Sequence, residues 1–191
     1  MAAPTSAKPA PDQQTMLEVW ERHLQAEFAV HSADAAIATM SATPHLNHVP
    51  VMTGGVGRDP IRQFYATRFI PQMPSDTTIE LISRTIGHDQ IVDEMIFKCT
   101  HTVAMDWYLP GVAPTGRRIE VPTVAIVRFR DGAIESEHIY WDQASVLVQI
   151  GLLEAGSLLV AGIETAEKLR DPERPSNTLI ARAEGRGQAS A

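Results

Sequence analysis

The apolar residues of this 191-residue chain follow two different periods, and the change comes near Thr77. Before it, Leu17, Trp20, Leu24 and Phe28 recur at helical spacing with Glu18, Glu21 and Arg22 between them, an amphipathic helix. His31-Ser32 breaks that helix. Ser32 can cap a short second one carrying Ala36, Ile37 and Met40, which Pro44 ends. Asp59-Pro60, a capping residue followed by proline, opens a third with Ile61, Phe64, Tyr65 and Phe69 on one side, and Pro71 and Pro74 stop it. After the change the pattern alternates. Residues 77–86, 91–105, 119–129 and 133–142 read as strands, the first two joined by the turn at 87–90 and the last two by Asp131-Gly132. Three helices followed by strands in hairpin order predict an α+β fold, with the helices packed on one face of a curved, mainly antiparallel sheet. The other face of such a sheet needs solvent or a partner.

Length allows one domain, read as residues 15–153, with a disordered lead over 1–14 and a partly ordered extension over 154–191. The lead is rich in Ala, Pro and Ser and has no apolar run, so it does not read as a secretory signal. No segment approaches the roughly 18 apolar residues of a membrane span. The expected location is cytoplasmic. A net charge of −7 argues against nucleic acid and anionic membrane surfaces as partners. Cys99 is the single cysteine, which excludes an intramolecular disulfide and a thiolate metal cluster.

The last strand is the most informative for chemistry. Side chains alternate faces with period two, so Ile134, Ser136, His138, Tyr140 and Asp142 are expected on one face and Glu135, Glu137, Ile139 and Trp141 on the other. A face with His, Tyr and Asp together suits a polar site in a cavity. Asp142 has a competing role as the cap of the apolar segment that starts at Gln143. Upstream, the loop from Asp106 to Gly116 carries Trp107 and Tyr108, which suit either ligand contact or a plug at the end of the core. His45, His48, His101 and His138 have the residue type of a metal site without its usual spacing, and no metal or cofactor is expected. Cys99 and His101 lack a nucleophile elbow, and Gly54-Gly55-Val56-Gly57 lacks the lysine of a phosphate loop.

Several stretches together resemble the SnoaL-like group, named for polyketide cyclases, of the nuclear transport factor 2-like superfamily. They are 44–50, 54–57, Val92-Asp93-Glu94-Met95, Thr100-His101-Thr102, Met105-Asp106-Trp107 and 137–143. The resemblance spans roughly residues 16 to 153. It implies a cone-shaped fold with a deep pocket between the helices and the concave face of the sheet, and a homodimer through the outer face. Ile139 and Trp141, assigned to that outer face by parity, suit such an interface. The scaffold hosts cyclases, isomerases, dehydratases, epoxide hydrolases and non-enzymatic binders. It implies a late-strand carboxylate as acid/base, a position Asp142 matches, assisted by a pocket histidine. Asp142 is therefore the expected acid/base. His138 is taken as its catalytic partner, with His48 and His101 the other candidates for the assisting histidine, and Tyr140, His101, His48 and Trp107 are expected to contact a small apolar carbonyl compound. Cofactor-free cyclisation, isomerisation or dehydration fits these groups, and a non-catalytic binding module is the alternative.

Overall fold

In the computed structural model, which describes residues 12–155 and 159–189, one six-stranded mixed sheet carries the fold. The strands are β1 (Met40–His48), β2 (Thr53–Val56), β3 (Thr78–Ile86), β4 (Gln90–Thr100), β5 (Arg118–Arg130) and β6 (Ala133–Trp141), in the order β2-β1-β6-β5-β4-β3. All neighbours are antiparallel except β1 and β6, which run parallel. Among the described residues no helix is long and apolar enough to cross a membrane.

Helix α1 (Gln13–Phe28) starts where the Asp12 carboxylate accepts from the Thr15 amide, inside the segment expected to be a disordered lead. The rest of that lead, residues 1–11, lies outside the described residues. Its buried stripe is Met16, Val19, Trp20, His23, Ala26 and Glu27. The Trp20 indole donates to Asp93 of β4 at 2.8 Å, and both Asp93 oxygens take the Arg84 fork at 2.6 and 2.7 Å. These bonds tie the helix to the inner face of the sheet.

Helix α2 (Ala33–Ala38) is capped by Ser32 as its sequence predicts, but it stops before Met40. Met40 opens β1, which runs through Pro44, so three full N-terminal helices is not the arrangement found. α1 is long, and α2 and α3 (Arg58–Phe64) are short. Pro44 is tolerated because the β1–β6 register shifts between Met40 and His45. Gly54 holds the β1–β2 hairpin close, since a Cβ there would meet the Leu46 carbonyl oxygen at 2.2 Å. α3 begins one residue before Asp59, with Gly57 at its cap. It then widens into a π turn, Tyr65–Phe69, that buries both terminal aromatics.

The Asp131-Gly132 turn has φ of 54° and 76°, the two-residue turn of a tight hairpin closing Arg130 on Ala133. Helix α4 (Gln143–Gln149) follows β6. Helix α5 (Glu164–Arg170) lies on the outer face, where Arg170 bridges Glu80 of β3 and Glu120 of β5. Helix α6 (Thr178–Ala189) is regular up to residue 189, where the composition predicts a frayed end.

Candidate functional site

Between α1, the π turn and the inner sheet face lies a cavity. Its volume is about 60 Å³. The walls are mostly aliphatic and aromatic, with Trp20, Trp107 and Trp141 among them. The ionisable groups on the wall are Glu27, His48, Tyr108 and Glu137.

Glu27 and Glu137 belong to a buried cluster centred on His23. The His23 Nε2 atom lies 3.2 Å from Glu27 Oε1, 3.4 Å from Glu137 Oε2 and 3.2 Å from the Tyr65 hydroxyl. On the other side of the ring, Nδ1 is 2.7 Å from Thr39 Oγ1. The Thr39 hydroxyl donates its own proton to the Ala36 carbonyl at 2.7 Å, so Nδ1 must be the donor to Thr39. Nε2 then faces two carboxylates and a phenol, surroundings that favour a second ring proton. Burial opposes that charge, but the Glu27 charge and the close approach of the Glu137 and Glu27 carboxylates outweigh it and raise His23 to about 10. Burial and the neighbouring carboxylates keep Tyr65 a neutral phenol. Glu137 Oε2 is buried and, though at ion-pair distance, is not aligned for a hydrogen bond with any protein group. His23, Glu27 and Glu137 offer ligand atoms within 4.8 Å of one another, a set that could hold a small divalent cation only with His23 Nε2 deprotonated.

His48 is the other titratable ring at the wall. It packs against Phe64, Phe69, Trp107 and Trp141, with ring centroids 5.7, 5.8, 5.5 and 6.0 Å away. Burial pushes its pKa down to about 4 against the pull of the Glu137 charge, so it is neutral at pH 7. Its Nδ1 and the Tyr108 hydroxyl are both buried without a well-aligned partner. In the parallel β1–β6 register Leu46 faces Glu137 and His48 faces Ile139. His48 and Glu137 are thus diagonal neighbours on one face, about 7 Å apart at their Cα atoms.

A family model described as SnoaL-like polyketide cyclase matches residues 13–150, well over half of the chain. The chain belongs to the SnoaL-like polyketide cyclase family. Solved structures agree on the fold. A SnoaL-like polyketide cyclase candidate from Jannaschia sp. CCS1 is 18% identical, with a TM-score of 0.58 over 78% of this chain and 100% of its own. TsrD from Streptomyces laurentii is also 18% identical, with a TM-score of 0.56 over 75% and 99%. A ketosteroid isomerase-like protein from Catenulispora acidiphila DSM 44928, solved with trimethylamine, gives 18%, 0.55, 71% and 94%. No curated protein matches the sequence.

In this SnoaL-like chain the last strand presents the opposite face from the one expected. Glu137, Ile139 and Trp141 line the cavity, while His138 and Tyr140 point outward. The cause is a β-bulge. Phe129 pairs with Ile134 and Arg128 with Ser136, leaving Glu135 as the extra residue. Ile134, buried and apolar, therefore shares the inner face with Glu137 rather than with His138. His138 meets His45 on the outer face at 3.3 Å, and Tyr140 is 41% exposed. Asp142 is exposed and caps α4, accepting from the Ala144 and Ser145 amides at 2.9 and 3.2 Å. This geometry places Asp142, His138 and Tyr140 outside the cavity lining, whereas strand parity predicts them inside. With Ile139 and Trp141 inside, it also removes them as the reason for a sheet-face dimer.

His48 and Trp107 do lie on the cavity wall. The loop aromatics are buried rather than exposed, Trp107 at 4% and Tyr108 at 2%. His101 is buried beside Thr115 at 3.2 Å and does not line the cavity. Burial lifts the Cys99 thiol to about 12, leaving it unreactive. The cluster residues His23, Glu27 and Tyr65 do not stand out in the sequence reading. Their signal is nonetheless present: Met16, Trp20, His23 and Glu27 follow one helical stripe, and two ionisable residues on a buried stripe mark a site.

Proposed function

We propose that the protein is a cofactor-free acid/base catalyst acting on a small apolar carbonyl compound held in the cavity. The observation that carries this reading is Glu137, a buried carboxylate on a mostly apolar wall with one oxygen not aligned for a hydrogen bond. Glu137 replaces Asp142 as the acid/base. Its carboxylate takes a proton from the carbon next to the carbonyl. Neutral His48 donates to the oxygen, where negative charge develops, and the Tyr108 hydroxyl is a second wall donor available for that role. His23, charged between two carboxylates, leaves the cluster with one carboxylate in excess. Glu137 returns the proton at another atom, which gives isomerisation, dehydration or ring closure according to the substrate.

Solvent deuterium exchange at the α-carbon of simple cyclic and open-chain ketones, followed by NMR, tests the reading. Exchange should exceed the buffer rate and should be unchanged in Asp142→Asn, whose side-chain oxygen still caps α4. Exchange that disappears in Asp142→Asn would return the role to Asp142. The small room beside the ion cluster favours a second reading, a non-catalytic binding module, which tight ketone binding without exchange would support.

The homodimer stays a proposal on different grounds. Val92, Val124, Ile126 and Tyr140 sit partly exposed on the outer face near the His45–His138 pair, clear of the Arg170 contacts. Sedimentation at micromolar concentration should give twice the chain mass. A monomer would leave that face to solvent.

A further inference from the structure

The cavity adjoins an open groove across shared side chains. Leu24, Phe28, Ile79 and Met95 line it, and the same four residues line an open groove between the end of α1 and β3. The groove has a volume of about 410 Å³ and continues along β3 to Leu81, about 7 Å beyond Ile79 on the same side of the strand. Ile79 and Leu81 are 37% and 49% exposed, unusual for large aliphatic side chains beside a cavity. Arg84 is the cation on the groove wall. Its guanidinium is already engaged by both Asp93 oxygens, at 2.6 and 2.7 Å, and Asp93 is further held by Trp20. Among the described residues the groove therefore offers apolar contact and no free positive charge.

We propose that the ligand is longer than the cavity: a neutral apolar tail passes between Phe28 and Ile79 and lies in the groove against Leu81, while the carbonyl end sits by Glu137. This rests on the reading that the cavity holds a carbonyl compound, and it names the shape and charge of that compound. A tail bearing a carboxylate or phosphate at the Leu81 level is disfavoured, because no unpaired cation among the described residues meets it there.

A homologous series of 2-alkanones, from 2-hexanone to 2-tridecanone, tests this by quenching of the three cavity tryptophans. Affinity should rise about twofold per methylene once the cavity is filled, half the free-energy gain of a fully buried methylene because one side of the groove is open. In Leu81→Asp, a substitution at an exposed position, the gain for the longer members should vanish while 2-hexanone binds as before. A tridecanone carrying a terminal carboxylate should bind at least tenfold more weakly than the neutral ketone. A series with no length dependence, absence of binding at every length, unchanged long-chain affinity in Leu81→Asp, or equal binding of the carboxylate would each overturn the proposal. Tryptophan quenching reads binding and not turnover. Length dependence that persists without α-carbon exchange would sustain the groove and sink the acid/base reading, and exchange with a flat series would do the reverse.

Discussion

Glu137→Gln should lower α-carbon exchange by about 100-fold or more, the usual contribution of a positioned general base. The amide has the shape of the carboxylate and can take its place beside His23, but it cannot take a proton from carbon at neutral pH. The fold should survive. Glu27 remains 3.2 Å from His23 Nε2, so the buried imidazolium keeps a counter-charge. Unchanged circular dichroism together with unchanged binding of a non-exchanging ketone would show that only proton transfer had been lost. His48→Phe should act differently. It keeps an aromatic ring among Phe64, Phe69, Trp107 and Trp141 but removes the donor, so exchange slows while the base is intact. Full activity in Glu137→Gln would leave the His23 cluster as a structural device.

Stability should peak near pH 6.5 and fall on both sides, because two buried histidines are shifted in opposite directions. His23 is raised from 6.5 to about 10. Between these values the folded protein holds a proton that the unfolded chain has released. Stability then falls as pH rises, and the full contribution is present only below about 6.5. His48 is lowered from 6.5 to about 4. Between those values the unfolded chain binds the extra proton, so stability falls as pH falls. Burial also depresses His101 and His138, which add to this acid limb. At roughly 1.4 kcal/mol per pKa unit, each limb is worth several kcal/mol. Urea unfolding from pH 4.5 to 9.5 measures both. Calorimetry in buffers of different ionisation enthalpy supplies a second readout: unfolding should release close to one proton at pH 8.5 and take up protons at pH 5. His48→Phe should flatten the acid limb. Constant stability from pH 7 to 9.5 would mean that His23 is neutral in the fold.

The last four strands, the Asp131-Gly132 turn and the long first helix were legible because they depend on neighbours along the chain. Strand alternation, a turn that needs positive φ, and helical spacing are local signals. β1 and β2 were harder to read. Pro44 and the glycines at 54, 55 and 57 are turn formers, and they fit a strand pair only because a register shift and a close backbone approach accommodate them. For the site, the sequence by itself determined that Glu137, Ile139 and Trp141 share a face and that His138 and Tyr140 share the other. Which face points inward was decided by the tertiary structure. Parity is relative, and the single extra residue at Glu135 exchanges the faces with respect to Ile134. Only the tertiary structure likewise brings His23 of α1, Tyr65 of the π turn and Glu137 of β6 together, through packing between residues up to 114 positions apart in a 191-residue chain. A buried charge depends on those distant partners, and no local pattern along the chain records them.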